Sequence, residues 1–210
     1  MAKENFIEAL KELRKDAEKR SFDQSVDLII NLKNFDPKRE SVNLAMTMPN
    51  KGIDKKIGAF LEASSDVFDG VILKNEIDRW KEKKKAKELA KEYDFFVAAA
   101  PLMPLIATHF GKIFGPVGKM PDPKSGGVMM RYNEQDAKQL VERLRRTVRI
   151  KTKEASIKVV IGKESQKDEI LAENAETIYN ALLNSLTRKK ENIKSVLIKF
   201  TMSKPAKVRI

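Results

Sequence analysis

The apolar pattern changes character twice, near Lys56 and near Thr147, and the two ends resemble each other more than either resembles the middle. Over residues 25–33, Val26, Leu28, Ile30 and Leu32 alternate with polar or outward positions, the period of a strand with one buried face. Residues 42–48 read the same way and stop at Pro49-Asn50-Lys51-Gly52. The style returns after the middle. Residues 148–153 and 157–161 read as a hairpin with Lys151 and Lys158 turned outward, and residues 194–202 form a last strand before Pro205 and a short basic tail. Two amphipathic helices accompany these strands, over residues 3–20 (Phe6, Ala9, Leu10, Leu13, Ala17) and 168–186 (Ile170, Leu171, Ala175, Ile178, Leu182, Leu183). In the middle, residues 56–61, 70–73 and 94–100 are short apolar runs, separated by helical stretches over 75–93, 102–110 and 134–146. Strands buried on both faces and alternating with helices define a parallel, doubly wound unit.

A first piece of about 50 residues is marginal for a core of its own. The expected fold is therefore mixed α/β in two domains. Residues 1–52 and 147–210 make a discontinuous domain with an antiparallel sheet and helices, and 53–146 is an inserted Rossmann-like parallel α/β domain.

Charge narrows the partners. The 210 residues carry a net charge of +12, an excess that favours polyanions. Residues 1–52 hold 10 basic and 9 acidic groups, 53–146 hold 18 and 14, and 147–210 hold 14 and 7. The discontinuous domain thus carries most of the excess, chiefly in its C-terminal piece, and the main nucleic-acid surface is expected there. No apolar run approaches the roughly 20 residues of a membrane span. The opening Met1-Ala2-Lys3-Glu4-Asn5 reads as no signal peptide. Cysteine is absent, which removes disulfides and thiolate metal sites, and a cytoplasmic location is expected.

The stretch 111–127 is the most distinctive, with Gly111, Gly115, Gly118, Lys112, Lys119 and Lys124 among three prolines. It lacks the spacing of a phosphate-binding P-loop, because no Gly stands five residues before Gly118 and Met120 follows Lys119 where Ser or Thr would be needed. It reads as an ordered surface loop, structural or touching RNA phosphates. The rival class is an α/β nucleotide-binding enzyme that uses this loop. The single His109 offers no triad, no tight carboxylate cluster suggests a metal, and Trp80 reads as core. Catalytic residues, metal and cofactor are accordingly none. Phe22, where a basic helix end meets a strand, is open between core residue and exposed platform. The segment 200–205 ends a strand in Thr201, Met202, Ser203 and Lys204, whose hydroxyls and backbone groups suit ribose 2′-hydroxyls, or which form an ordinary strand end.

Three segments together carry a resemblance that covers essentially the whole chain: Phe22-Asp-Gln-Ser-Val-Asp27, Phe114-Gly-Pro-Val-Gly-Lys-Met-Pro121, and the late pair Thr201-Met202. The chain resembles the large-subunit ribosomal protein one family in its archaeal form. That resemblance implies a sheet-based outer domain interrupted by a Rossmann-like insertion, and a non-enzymatic protein of the mobile stalk. Its implied partners are large-subunit ribosomal RNA, the transfer RNA leaving the exit site, and a look-alike site on its own messenger RNA whose translation it represses. A translational regulator working off the ribosome is a second rival. Off the ribosome a monomer is expected, and no membrane partner. The family's RNA contact maps onto Phe22, Ser25, Thr201 and Met202. Ser203 and Lys204 follow these directly, Lys151 and Lys158 are expected on phosphates, and Lys112, Lys119 and Lys124 on a secondary RNA contact. Two departures stand out: Ser203 replaces the family's Gly after the Thr-Met pair, and Pro49-Asn50-Lys51-Gly52 replaces its Pro-His-Gly segment.

Overall fold

The computed structural model describes residues 2–18, 20–37, 40, 42–123, 126–152 and 154–209. The chain divides into two compact units, Met1–Ile53 with Arg146–Ile210, and Asp54–Arg145. The fold is mixed α/β, with an antiparallel sheet in the first unit and a parallel sheet in the second.

The first unit is built around β1 (Ser25–Leu32). It pairs antiparallel with β8 (Ser156–Lys163) on one side and β9 (Ile193–Phe200) on the other, and β10 (Ala206–Val208) closes the far edge in the order β10-β9-β1-β8. The register sets Val26 opposite Phe200, Leu28 opposite Ile198 and Ile30 opposite Val196. Because side chains alternate across a strand, this one register sends all six to the same face. There they pack with Phe6, Leu10 and Leu13 of α1 (Ala2–Asp16) and with Leu171, Ala175, Ile178 and Leu182 of α5 (Asp168–Ser185). The other face, carrying Asp27, Ile29 and Asn31, stays half-buried. The tail after Pro205 is thus a strand: the chain reverses at residues 201–205, and β10 satisfies backbone groups of β9 that would otherwise stay open.

Residues 147–163 correct the expected hairpin. β7 (Thr147–Lys151) pairs with β2 (Asn43–Thr47) in a separate two-stranded sheet, whereas β8 pairs with β1. The alternation of both segments is genuine, but alternation does not name a partner. β1 already offered β8 the apolar column of Leu28 and Ile30, which faces Val159 and Ile157.

In the second unit the parallel order is β4-β3-β5-β6, with β3 Ile57–Leu61, β4 Gly70–Leu73, β5 Phe95–Ala99 and β6 Val128–Met129. Both faces of β3 are covered. Phe60 joins Phe96, Leu89 of α2 (Lys83–Glu92), and Ile106 and Phe110 of α3 (Met103–Val117). Ile57, Ala59 and Leu61 join Val141 and Leu144 of α4 (Glu134–Arg146). The helix expected over 75–93 is split, with a 3-10 turn over Ile77–Trp80 and then α2. Trp80 is only half-buried and packs at the margin of the core.

The first part of the stretch read as a loop, residues 111–117, is helix. α3 continues to Val117 even though Pro116 lies within it. The cause is a phenylalanine ladder: Phe114 stacks on Phe96 at 4.6 Å and on Phe110 at 5.1 Å between centroids, all fully buried. Aromatic burial of that size outweighs the roughly 1 kcal/mol that each helical glycine costs relative to alanine. The helix ends at Gly118, whose φ of 76° is left-handed; its N–H reaches the Gly115 carbonyl while the Lys119 N–H reaches that of Phe114.

Open space surrounds the position a Cβ would take at Gly111. Gly111→Ala is therefore expected to stabilise the protein by about 1 kcal/mol. Phe114→Ala should destabilise it by about 3–5 kcal/mol. Denaturant unfolding checks both, and a destabilising Gly111→Ala would contradict the helical assignment.

Candidate nucleic-acid interface

The start of β1 and the end of β9 meet although 176 residues separate Ser25 from Thr201. The Thr201 N–H donates to the Ser25 carbonyl at 3.1 Å, and the Ser25 N–H donates to Thr201 Oγ1 at 3.1 Å. The threonine hydroxyl thus accepts one hydrogen bond from within the protein and donates a long one, at 3.4 Å, back to the Ser25 carbonyl. Beyond it the chain turns. Ser203 stabilises the turn through its N–H to the Phe200 carbonyl and its Oγ, which accepts from the Phe200 N–H at 2.9 Å. Where the implied pattern has glycine, a hydroxyl here holds the turn closed.

Phe22 and Met202 flank this junction in sequence and both face solvent, at 50% and 61% exposure. Large apolar side chains so exposed are informative when they share a neighbourhood, because single exposed ones are ordinary. The open question about Phe22 is answered: it lies outside the core. Lys163 adds a cation, its Nζ donating to Ser25 Oγ and to the Asp23 carbonyl, each at 3.3 Å. Asp23 in turn accepts from the N–H and hydroxyl of Ser165. Lys204 is exposed just beyond the turn. A depression of about 550 Å³ runs alongside, lined by Met202, Ser203, Lys204 and Pro205 and by Glu12, Asp16 and Arg20 from the end of α1 and beyond. On the half-buried face Asp27 sits next in line, its carboxyl pushed up by burial and pulled back in part by Lys199.

Gln24 was not singled out from sequence, and it organises the junction. It is 1% exposed. Its Oε1 accepts from the Met202 N–H at 3.0 Å while its Nε2 donates to Glu164 at 3.1 Å. A signal existed, since Gln24 continues the inward series Val26, Leu28, Ile30, so a polar residue there must find buried partners.

The other residues considered lie apart from this junction. Lys158 is exposed in mid-strand on β8 opposite Ile29, about 13 Å along β1 from Ser25 by strand rise. Lys151 is exposed on β7 in the two-stranded sheet, opposite Asn43. Lys112, in the second unit, is exposed on α3. Lys119 is half-buried, its Nζ donating to the Tyr93 carbonyl at the end of α2 at 2.7 Å. Lys124 lies outside the described residues. The glycines of 111–117 form no phosphate cradle, since they are helical and look outward.

The antiparallel-sheet unit that carries the Ser25–Thr201 junction is thus interrupted in sequence by the parallel-sheet unit. Residues 13–204 match the model of the ribosomal protein L1p/L10e family, and the chain belongs to that family, one of ribosomal proteins and not of enzymes. It is 38% identical to the large ribosomal subunit protein uL1 of Thermococcus kodakarensis, over 98% of this chain and 97% of that protein. The uL1 proteins of Pyrococcus abyssi and Methanothermococcus thermolithotrophicus are 38% and 39% identical, each over 99% of this chain and over 96% and 99% of their own lengths. Among the described residues no helix is long and apolar enough to cross a membrane.

Gln24→Ala leaves the Met202 N–H without its partner. The expected cost is about 1–3 kcal/mol of stability, the penalty for a buried donor left unmade. Chemical denaturation measures it, and an unchanged midpoint would remove Gln24 from its positioning role.

Proposed function

We propose that this chain is a structural protein of the large ribosomal subunit that binds ribosomal RNA through the Ser25–Thr201 junction. The observation that carries this reading is the exposure of Phe22 and Met202, which flank the Ser25–Thr201 junction in sequence, beside an exposed hydroxyl whose one donated bond within the protein is long, 3.4 Å, and can be exchanged for a shorter one to RNA. Pressed against RNA, the two apolar side chains exclude water from hydrogen bonds made by Thr201, which are stronger in a drier environment. Ribose 2′-hydroxyls are suitable partners and distinguish RNA from DNA. Lys151, Lys158, Lys163 and Lys204 supply phosphate attraction that positions the strand but carries little sequence information. The same junction reads a similar fold on the protein's own messenger RNA and represses its translation. Lys112 and Lys124 of the second unit make a weaker RNA contact, with Lys119 joining it only by releasing the Tyr93 carbonyl. On the cytoplasmic ribosome the protein accompanies departing transfer RNA in a mobile stalk.

Affinities for cognate and scrambled RNA, with thermal melts as the folding control, test this. Thr201→Val and Phe22→Ala should each weaken cognate binding by about 1–3 kcal/mol and leave scrambled RNA nearly unaffected. Lys158→Ala should weaken both RNAs alike. With about 5 phosphates neutralised, log K should fall against log salt with a slope of roughly −3.5 to −4.5. A Thr201→Val protein that melts normally and binds both RNAs as the parent does would sink the junction as the recognition site.

The division of labour has its own test. We infer that residues 1–52 and 147–210 hold the specific RNA affinity. Replacing residues 53–146 by a short Gly/Ser linker should leave a folded protein that still prefers cognate RNA. Loss of the fold, or of that preference, would overturn the assignment.

A further inference from the structure

At the other end of β9 from Thr201, eight residues or about 25 Å away by strand rise, the first unit has a second depression, of about 530 Å³. Tyr179 of α5, Val196 of β9 and Val208 of β10 are its buried lining. Lys190, Lys194, Lys207 and Arg209 surround it, all four exposed. The cations come from three separate places: the 3-10 turn over Lys189–Asn192, the start of β9, and β10 with the residue after it. Four positive charges in one small region repel one another, so the arrangement costs free energy until an anion neutralises it.

The second observation is independent of charge. Tyr179 is 3% exposed and its hydroxyl has no hydrogen-bond partner. Its ring packs edge-on against Phe6 at 6.2 Å. Burial also raises its ionisation range, which keeps the group a neutral O–H donor at physiological pH. A buried donor left unpaired is costly and rare. Tyr179 and the cations line the same depression, with the hydroxyl buried beneath its surface.

We propose that this depression is a phosphate-binding site, filled by a backbone phosphodiester of bound RNA, with the Tyr179 hydroxyl donating to one phosphate oxygen and Lys190, Lys194, Lys207 and Arg209 neutralising the charge. The choice of RNA as the source rests on the RNA-binding reading above; the phosphate chemistry does not. Occupied together with the Ser25–Thr201 junction, the site anchors RNA at both ends of the sheet and fixes its direction across the domain.

The test uses the full chain and inorganic phosphate at constant ionic strength, followed by calorimetry and phosphorus NMR. One saturable site is expected. Tyr179→Phe, which removes the hydroxyl and keeps the ring, should weaken phosphate about tenfold, the effect of one charge-assisted hydrogen bond. Lys190→Gln with Lys207→Gln should weaken it at least as much, and Phe22→Ala not at all. Non-saturable phosphate, or Tyr179→Phe binding as the parent does, overturns the site. A short RNA oligomer should displace phosphate from the parent. Phosphate that binds but is not displaced overturns RNA as the source and leaves a small phosphorylated ligand. Cognate RNA bound through Thr201 with unchanged affinity in Tyr179→Phe overturns this site while sparing the junction. Loss of RNA binding on Thr201→Val with phosphate binding intact is expected.

Discussion

β1 is paired on both sides, and the first unit exists because of it. Its neighbours β8 and β9 both lie beyond the insertion in sequence, so each hydrogen bond from β1 closes a loop of more than a hundred residues. Loop closure grows only logarithmically with length, by roughly 0.6 kcal/mol per doubling, so so long an interruption is tolerable. What repays it is the register that buries Val26 against Phe200 and Leu28 against Ile198 under α1 and α5. The same register brings the first residue of β1 to the residue just past β9. The Ser25–Thr201 junction is a by-product of the strand pairing that makes the core.

That origin explains the chemistry of the junction. The interior ends at Val26 and Phe200, both fully buried, and within two residues the chain presents the exposed Met202. Between them Gln24 and Ser203 complete the backbone hydrogen bonds that strand pairing leaves open at its end. The turn is stiff because its donors are paired, so Thr201 holds its hydroxyl in a set position and a ligand would not have to order it. Preorganisation of this kind lowers the entropy cost of binding.

The second unit obeys a different rule, since β3 and β5 are covered on both faces. It shows where local chemistry yields to packing. Gly111, Gly115 and Pro116 argue against a helix one residue at a time, and the stacked rings of Phe96, Phe110 and Phe114 impose one. Lys119, a basic tip when read locally, is turned onto the Tyr93 carbonyl because the left-handed Gly118 redirects the chain there.

Much was legible in the linear pattern because burial has a period. Alternation at 26, 28, 30 and 32, helical spacing in α1 and α5, and the solid apolar runs of β3 and β5 each follow from how many faces of an element are hidden. Those patterns, with the signatures at 22–27, 114–121 and 201–202, were enough for the fold class and the family. Strand partners were not legible, because a period names a face and never a neighbour: β7 and β8 looked alike and adjacent, yet they joined different sheets. The exposure of Phe22, the tie between Gln24 and Met202, and the unpaired hydroxyl of Tyr179 beneath four cations were likewise settled only in three dimensions. Each depends on which distant residues arrive at the same place, and arrival is decided by the sum of packing over the whole domain rather than by any stretch of chain.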